Sequence, residues 1–217
     1  MDPHKLLIWD TPETWEKPIY SIIVGIIGQK TVISILREPP EELYVDDPSW
    51  LDPYCTLSSD AYMVTGNGIR ENYQYIRAYH ACKPFKIERY FSRGLLPLSI
   101  EEFAEDSAER FSASGISYDR IKAIFSDPKV RSEVGRLWLN LSDRAFSKKA
   151  GHYLIYGGEL LLSFCREIAG ESGGLWSIDY LKKVGIPTVF VCNVPVEHFS
   201  DDTLKNLAGD LLCRLFN

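Results

Sequence analysis

The sequence predicts an α+β fold, with β-like runs in its first third, helical patterns in its middle and both in its last third. Three stretches carry that expectation. Tyr75-Ile-Arg-Ala-Tyr-His-Ala-Cys82 is an aromatic and β-branched run that ends at Lys83-Pro84, where Pro84 has no amide hydrogen to give to a ladder. Ser99-Ile-Glu-Glu102 has capping-box spacing and opens a stripe of Ile100, Phe103, Ala104, Ala108 and Phe111. Pro187-Thr-Val-Phe-Val-Cys-Asn-Val194 is an apolar run with the composition of a buried strand.

From the N-terminus, residues 1–18 carry Trp9, Trp15 and three prolines and read as an irregular lead-in. Two β-branched runs, Tyr20–Ile27 and Thr31–Leu36, flank Gly28-Gln-Lys30 and predict a β-hairpin. Pro39-Pro40, Asp46-Asp-Pro48 and Asp52-Pro53 mark a long loop over 37–60, which Trp50, Leu51 and Tyr54 pin to the core. Ala61–Thr65 reads as a short strand ending at a Gly66-Asn-Gly68 turn. After the Tyr75–Cys82 strand, Phe85–Arg93 has helical spacing and Gly94 stops it.

A helix is expected over Ser117–Phe125. A longer one starts at Asp127-Pro128, buries Val134, Leu137, Trp138, Leu141 and Ala145, and ends near Lys149. Gly151-His-Tyr-Leu-Ile-Tyr156 reads as a strand, turned by Gly157-Gly158 into a helix from Glu159 to Ala169 that Gly170 closes. A short helix spans Ile178–Val184. Asp201-Asp202 caps a final helix with Leu204, Leu207, Ala208, Leu211 and Leu215 facing inward. The domain reading is one domain over 1–217, with a hairpin-and-loop extension at 1–60 and a core at 61–217.

With 45% hydrophobic and 25% charged residues, the 217-residue chain has the composition of a globular domain. A net charge of −6 argues against nucleic-acid binding through the overall field. Arg77, Lys83, Lys86, Arg89 and Arg93 nevertheless cluster around the His80 segment, as a local basic groove or a solvated helix face. Five cysteines without C-x-x-C spacing point to free thiols in the cytoplasm and give no metal site. No apolar run is long enough for a bilayer, so no membrane partner is expected. There is no H-E-x-x-H and no P-loop.

Arg77-Ala-Tyr-His-Ala-Cys82, a short helix and Gly94-Leu95 together resemble the first active-site strand of ADP-ribosyltransferases of the poly(ADP-ribose) polymerase/diphtheria toxin class. That class shows His-Gly-Thr or His-Gly-Ser, a helix, and Gly-Leu. Gly151-His-Tyr-Leu-Ile-Tyr-Gly-Gly-Glu159 is similar to its second landmark, a Gly-x-Tyr-Phe strand followed by a small-residue turn and a helix. The Pro187–Val194 run resembles the strand that comes next.

The resemblance implies a split β-sheet core with a helical insertion, NAD as substrate, and transfer of ADP-ribose to a protein or nucleic-acid acceptor. His80 would bond a ribose of NAD, and backbone at Ala81 would hold the carboxamide. Tyr153, with Tyr156 as rival, would stack on nicotinamide. Glu159, with Glu197 second, would stabilise the positive ribose. Arg77, Cys82 and Gly94 would complete the NAD-binding set. The sequence departs from the pattern at Ala81 in place of Gly and Cys82 in place of Thr or Ser, and no late strand follows to carry the family's glutamate. A toxin or defence effector would also have a neutralising partner protein. Two other readings keep the fold: an inactive binding module, or an RNA 2′-phosphotransferase, which uses basic residues.

Overall fold

The computed structural model describes residues 5–55, 58–112, 116–125, 133–148, 150–172 and 176–217. In chain order, β1 (Leu6–Leu7) is followed by α1 (Glu16–Ile27), α2 (Gln29–Arg37), α3 (Ser58–Asn72) and β2 (Tyr75–Cys82). The middle holds α4 (Glu88–Arg93), α5 (Ile100–Arg110), α6 (Tyr118–Phe125), α7 (Arg144–Lys148) and α8 (His152–Tyr156). The last part holds α9 (Glu159–Ser172), α10 (Trp176–Lys183), β3 (Thr188–Pro195) and α11 (Asp201–Phe216).

The strands form one sheet in the order β1-β2-β3. β1 runs parallel to β2, Leu6 opposite Tyr75 and Leu7 opposite Ile76. Val196 N donates to Gln74 O at 2.9 Å and Ile186 N to Pro84 O at 3.0 Å. Partner numbers fall as β2 advances, which makes β2 and β3 antiparallel. The class is therefore α+β, with a small mixed sheet under a majority of helix.

The chain divides into two compact units, residues 1–78 with 192–217, and residues 79–191. In the first, α3 packs along α11 through Ala61, Tyr62, Thr65 and Ile69 on one side and Leu204, Leu207, Ala208 and Leu211 on the other, all buried. Tyr62 Oη accepts from Trp50 Nε1 at 2.7 Å and donates to Tyr44 O, which ties the 37–60 loop down. Ser200 caps α11 by accepting from Thr203 N. In the second unit, α5, α6 and α9 meet around Phe111, Phe125 and Phe164, with ring centroids 5.1–5.3 Å apart. Ser99 accepts from Glu102 N at the start of α5, as the capping spacing predicts. Among the described residues no single helix is long and apolar enough to cross a membrane.

Four sequence expectations are corrected. The predicted hairpin is the helix pair α1–α2: Ile19, Ile23 and Ile27 recur every fourth residue and are buried, so the 3.6-residue period outweighs β-branched propensity. The predicted Ala61–Thr65 strand lies inside α3, and Gly66-Asn-Gly68 is helical rather than a turn. A Cβ at Gly66 would stand 3.1 Å from the backbone of Leu204, so this glycine permits close helix contact. Gly151–Tyr156 is the short helix α8, not a strand. Of the helix expected from Asp127 to Lys149, residues 126–132 and 149 lie outside the described residues. The remainder is a turn at 133–135, an extended segment to Asn140, and α7. Trp138, expected in the core, is 61% exposed. Smaller differences are that α9 continues through Gly170 to Ser172, and that β3 is half-buried with Val191 exposed.

Candidate active site

Within the unit of residues 79–191, a cleft of about 1170 Å³ is lined by His80, Tyr90, Trp138, Tyr153, Glu159 and neighbouring side chains. One wall is the second half of β2. Tyr79 and Asn140 exchange both backbone hydrogen bonds, at 2.7 and 2.9 Å, and so lay the 136–140 segment beside the strand. Leu98 anchors the same segment, donating to Arg136 O and accepting from Gly135 N.

This segment decides the state of His80. Its Nδ1 stands 3.0 Å from Trp138 O, and a carbonyl can only accept, so Nδ1 carries the proton. Burial holds the ring below its ordinary 6.5, with the Trp138 carbonyl acting in the other direction. His80 is therefore a neutral imidazole with its Nε2 lone pair available to a hydroxyl donor.

The facing wall comes from the turn between α8 and α9. Gly157 and Gly158 take φ of 90° and 115°, a conformation closed to most side chains. They reverse the chain so that Tyr153 precedes the turn and Glu159 opens α9, both lining the cleft. The Glu159 side chain is 76% exposed, and Oε1 lies 3.4 Å from His152 Nε2. Burial, with the carboxylates of Glu159 and Glu133 nearby, raises the Tyr153 phenol.

The supports of this turn carry the most committed polar groups of the unit. Lys83 is 4% exposed, and its Nζ donates to the carbonyls of Ile155, Leu181 and Lys182 at 2.8–3.0 Å. A cation thus satisfies C-terminal carbonyls of α8 and α10, where the helix dipoles favour it. Arg110, equally buried, donates to Lys83 O and Asp106 and stands 5.7 Å from the Phe85 ring centroid, while its Nε and Nη1 have no hydrogen-bond partner among the described residues. Burial pushes the Cys82 thiol up to about 11, against a hydrogen bond with Tyr90, so it is no ready nucleophile.

Of the sequence-predicted site residues, His80, Ala81, Cys82, Tyr153 and Glu159 line this one cleft. Tyr156 packs against the Phe111–Phe164 core instead. Gly94 caps α4 at φ 81° and is exposed, while its neighbours Leu95 and Leu96 line the cleft. Arg77 lies in the other unit, its Nε donating to Asn193 Oδ1 at 3.1 Å. Glu197 lies in that unit too and does not line the cleft. The predicted basic cluster is neutralised by α5: Lys86 and Arg89 pair with Glu109, and Arg93 with Glu102. Phe91 on α4 is 76% exposed and meets Phe190 edge-on.

Sequence reasoning missed Glu133, Arg136, Trp138 and Asn140, which line the cleft from the 133–135 turn and the extended segment after it. Reading 127–149 as one helix turned Trp138 inward; Gly135, here at φ 78°, was the available sign of a break. Gly170-Glu-Ser-Gly-Gly174 has the spacing of a nucleophile elbow, but Ser172 ends a helix, whereas an elbow joins a strand to one. Among the described residues no three His, Cys, Asp or Glu side chains come together as a metal site. No family model, curated protein or solved structure matches the chain.

Proposed function

We propose that this cleft binds NAD and that the protein transfers ADP-ribose to a macromolecular acceptor, as an ADP-ribosyltransferase of the split-sheet class it resembles. One observation carries the reading. His80, Tyr153 and Glu159 come from segments more than seventy residues apart in sequence and line a single cleft. Its volume of about 1170 Å³ lies a little above the range of small-molecule sites, which run to roughly 1000 Å³.

The residues have the chemistry the reaction needs. His80 Nε2 accepts a ribose hydroxyl, because Trp138 O holds the proton on Nδ1. Tyr153 offers a ring face to nicotinamide. As the bond from nicotinamide to ribose breaks, nicotinamide leaves with the electron pair and positive charge grows on the sugar. The Glu159 carboxylate stabilises that charge until the acceptor's lone pair forms the new bond and its proton passes to the carboxylate or to water. For the phosphotransferase alternative, Lys83 and Arg77 do not line the cleft, Lys83 being buried against carbonyls and Arg77 bonded to Asn193; the guanidinium groups there are those of Arg120 and Arg136.

Nicotinamide release from NAD tests the reading. His80→Ala and Glu159→Gln should each lower it by about 10²–10³-fold while the protein stays folded. Release that survives Glu159→Gln but fails in Glu133→Gln or Glu167→Gln would move the carboxylate role to another residue of the same cleft. Absence of release, with NAD bound and acceptors from lysate supplied, would leave a binding module and reject the transferase.

A further inference from the structure

We propose that Trp138 is the adenine-stacking platform of the cleft, a role that rests on the nucleotide reading above and gives the adenosine half of the ligand its own subsite. Trp15 and Trp50 are 2% and 6% exposed, whereas Trp138 lines the cleft with 61% of its surface open. Its one polar atom is already engaged: Nε1 donates to Glu133 Oε2 at 2.6 Å. What remains exposed is ring carbon, which water solvates poorly and a flat base covers well.

Stacking needs a ring held in place, and this one is. The segment carrying it is bonded to Leu98 on one side of Trp138, through Gly135 and Arg136, and to Tyr79 on the other, through Asn140. The indole is further oriented by Glu133 and by the Arg136 guanidinium, 6.0 Å from the ring centroid. The same residue's carbonyl fixes the His80 tautomer. Main chain and side chain of Trp138 thus serve adjacent parts of one ligand, the carbonyl setting the ribose acceptor and the indole receiving the base. Tyr153 stands on the facing wall ahead of the Gly157–Gly158 turn, its ring centroid 4.3 Å from that of His152, and takes the second ring of a dinucleotide.

Calorimetric titration of the full chain with AMP and with nicotinamide mononucleotide separates the two subsites. Trp138→Ala should weaken AMP by about tenfold or more, in the range of base–aromatic stacking. Trp138→Phe should keep AMP within about threefold, and both variants should bind nicotinamide mononucleotide as the wild type does. Saturation transfer from indole protons to adenine H2 and H8 should be present in the wild type and weakened in Trp138→Phe. The His80 ring-nitrogen shifts should stay put, because the backbone carbonyl is unchanged.

Equal weakening of both ligands would assign the effect to lost support of His80 and overturn the platform. Unchanged AMP binding in Trp138→Ala, with nicotinamide release intact, would overturn the platform and leave the transferase reading standing. Trp138-dependent AMP binding without nicotinamide release would do the reverse. No AMP binding by the wild type would overturn the platform outright.

Discussion

Trp50 and Trp138 are the same side chain used in opposite ways. Trp50 sits on the loop before α3, its Nε1 given to Tyr62 Oη and its ring edge against Phe216 at 5.6 Å. Trp138 also has its Nε1 bonded, to Glu133, but its ring faces the cleft and solvent. The first joins buried side chains, Tyr62 and Phe216, inside the fold. The second is anchored through its backbone, one polar atom and the Arg136 guanidinium, and most of its apolar surface is left for something that is not part of the chain. The lesson extends to the cations: Lys83 has three carbonyl partners and supports structure, while the neutral His80 keeps Nε2 open beside the same cleft.

The largest expected effect breaks the comparison on the Trp50 side. Trp50→Ala removes a buried ring and the indole donor to Tyr62 Oη, which keeps its bond to Tyr44 O, and should cost about 3–5 kcal/mol in urea denaturation. Lys83→Met keeps the aliphatic stem but leaves three inward carbonyls without their cation; a loss of about 3 kcal/mol is expected in the same assay. Ser200→Ala at the start of α11 should cost about 1 kcal/mol, the ordinary worth of an N-cap, and a null result would mean the cap bond to Thr203 carries no weight.

The pH dependence sharpens the His80 side. A histidine whose folded pKa lies below its ordinary 6.5 binds fewer protons folded than unfolded. Its contribution is complete above 6.5 and is lost as the pH falls through the folded value. Stability and AMP affinity should both decline on that acid limb, and His80→Gln should flatten it; an unchanged limb would assign it to another group. The smallest effect is Trp138→Ala, which should move folding stability by no more than about 0.5 kcal/mol despite the size of the deletion. A loss approaching that of Trp50→Ala would mean Trp138 is a structural residue after all.

The strand Tyr75–Cys82, the Ser99 cap, the Gly94 stop and the inward stripe of α11 from Leu204 to Leu211, though not the half-buried Leu215, were legible because each is dictated locally, by alternation, by a side-chain acceptor at the right spacing, by helical period, or by backbone only glycine adopts without strain. The elements misread as strands were β-branched or short apolar runs. At Tyr20–Ile27 the helical period was present in Ile19, Ile23 and Ile27 but yielded to propensity. At Gly151–Tyr156 six residues are too few for any period to show.

The amino-acid sequence alone determined that His80 stands on a strand, that a glycine pair turns the chain just before Glu159, and that Tyr153 precedes that turn. Backbone preference and residue order suffice for each. Only the tertiary structure decided which of these residues share a cleft, that Tyr153 rather than Tyr156 lines it, and that Lys83 is buried support rather than a free cation. It alone brought in Trp138, whose carbonyl sets the proton on His80. Those facts depend on contacts between segments far apart in sequence, among them the hydrogen bonds of His80 and Tyr79 to the 138–140 segment and of Lys83 to carbonyls of α8 and α10, and no periodicity within any one segment encodes such a pairing.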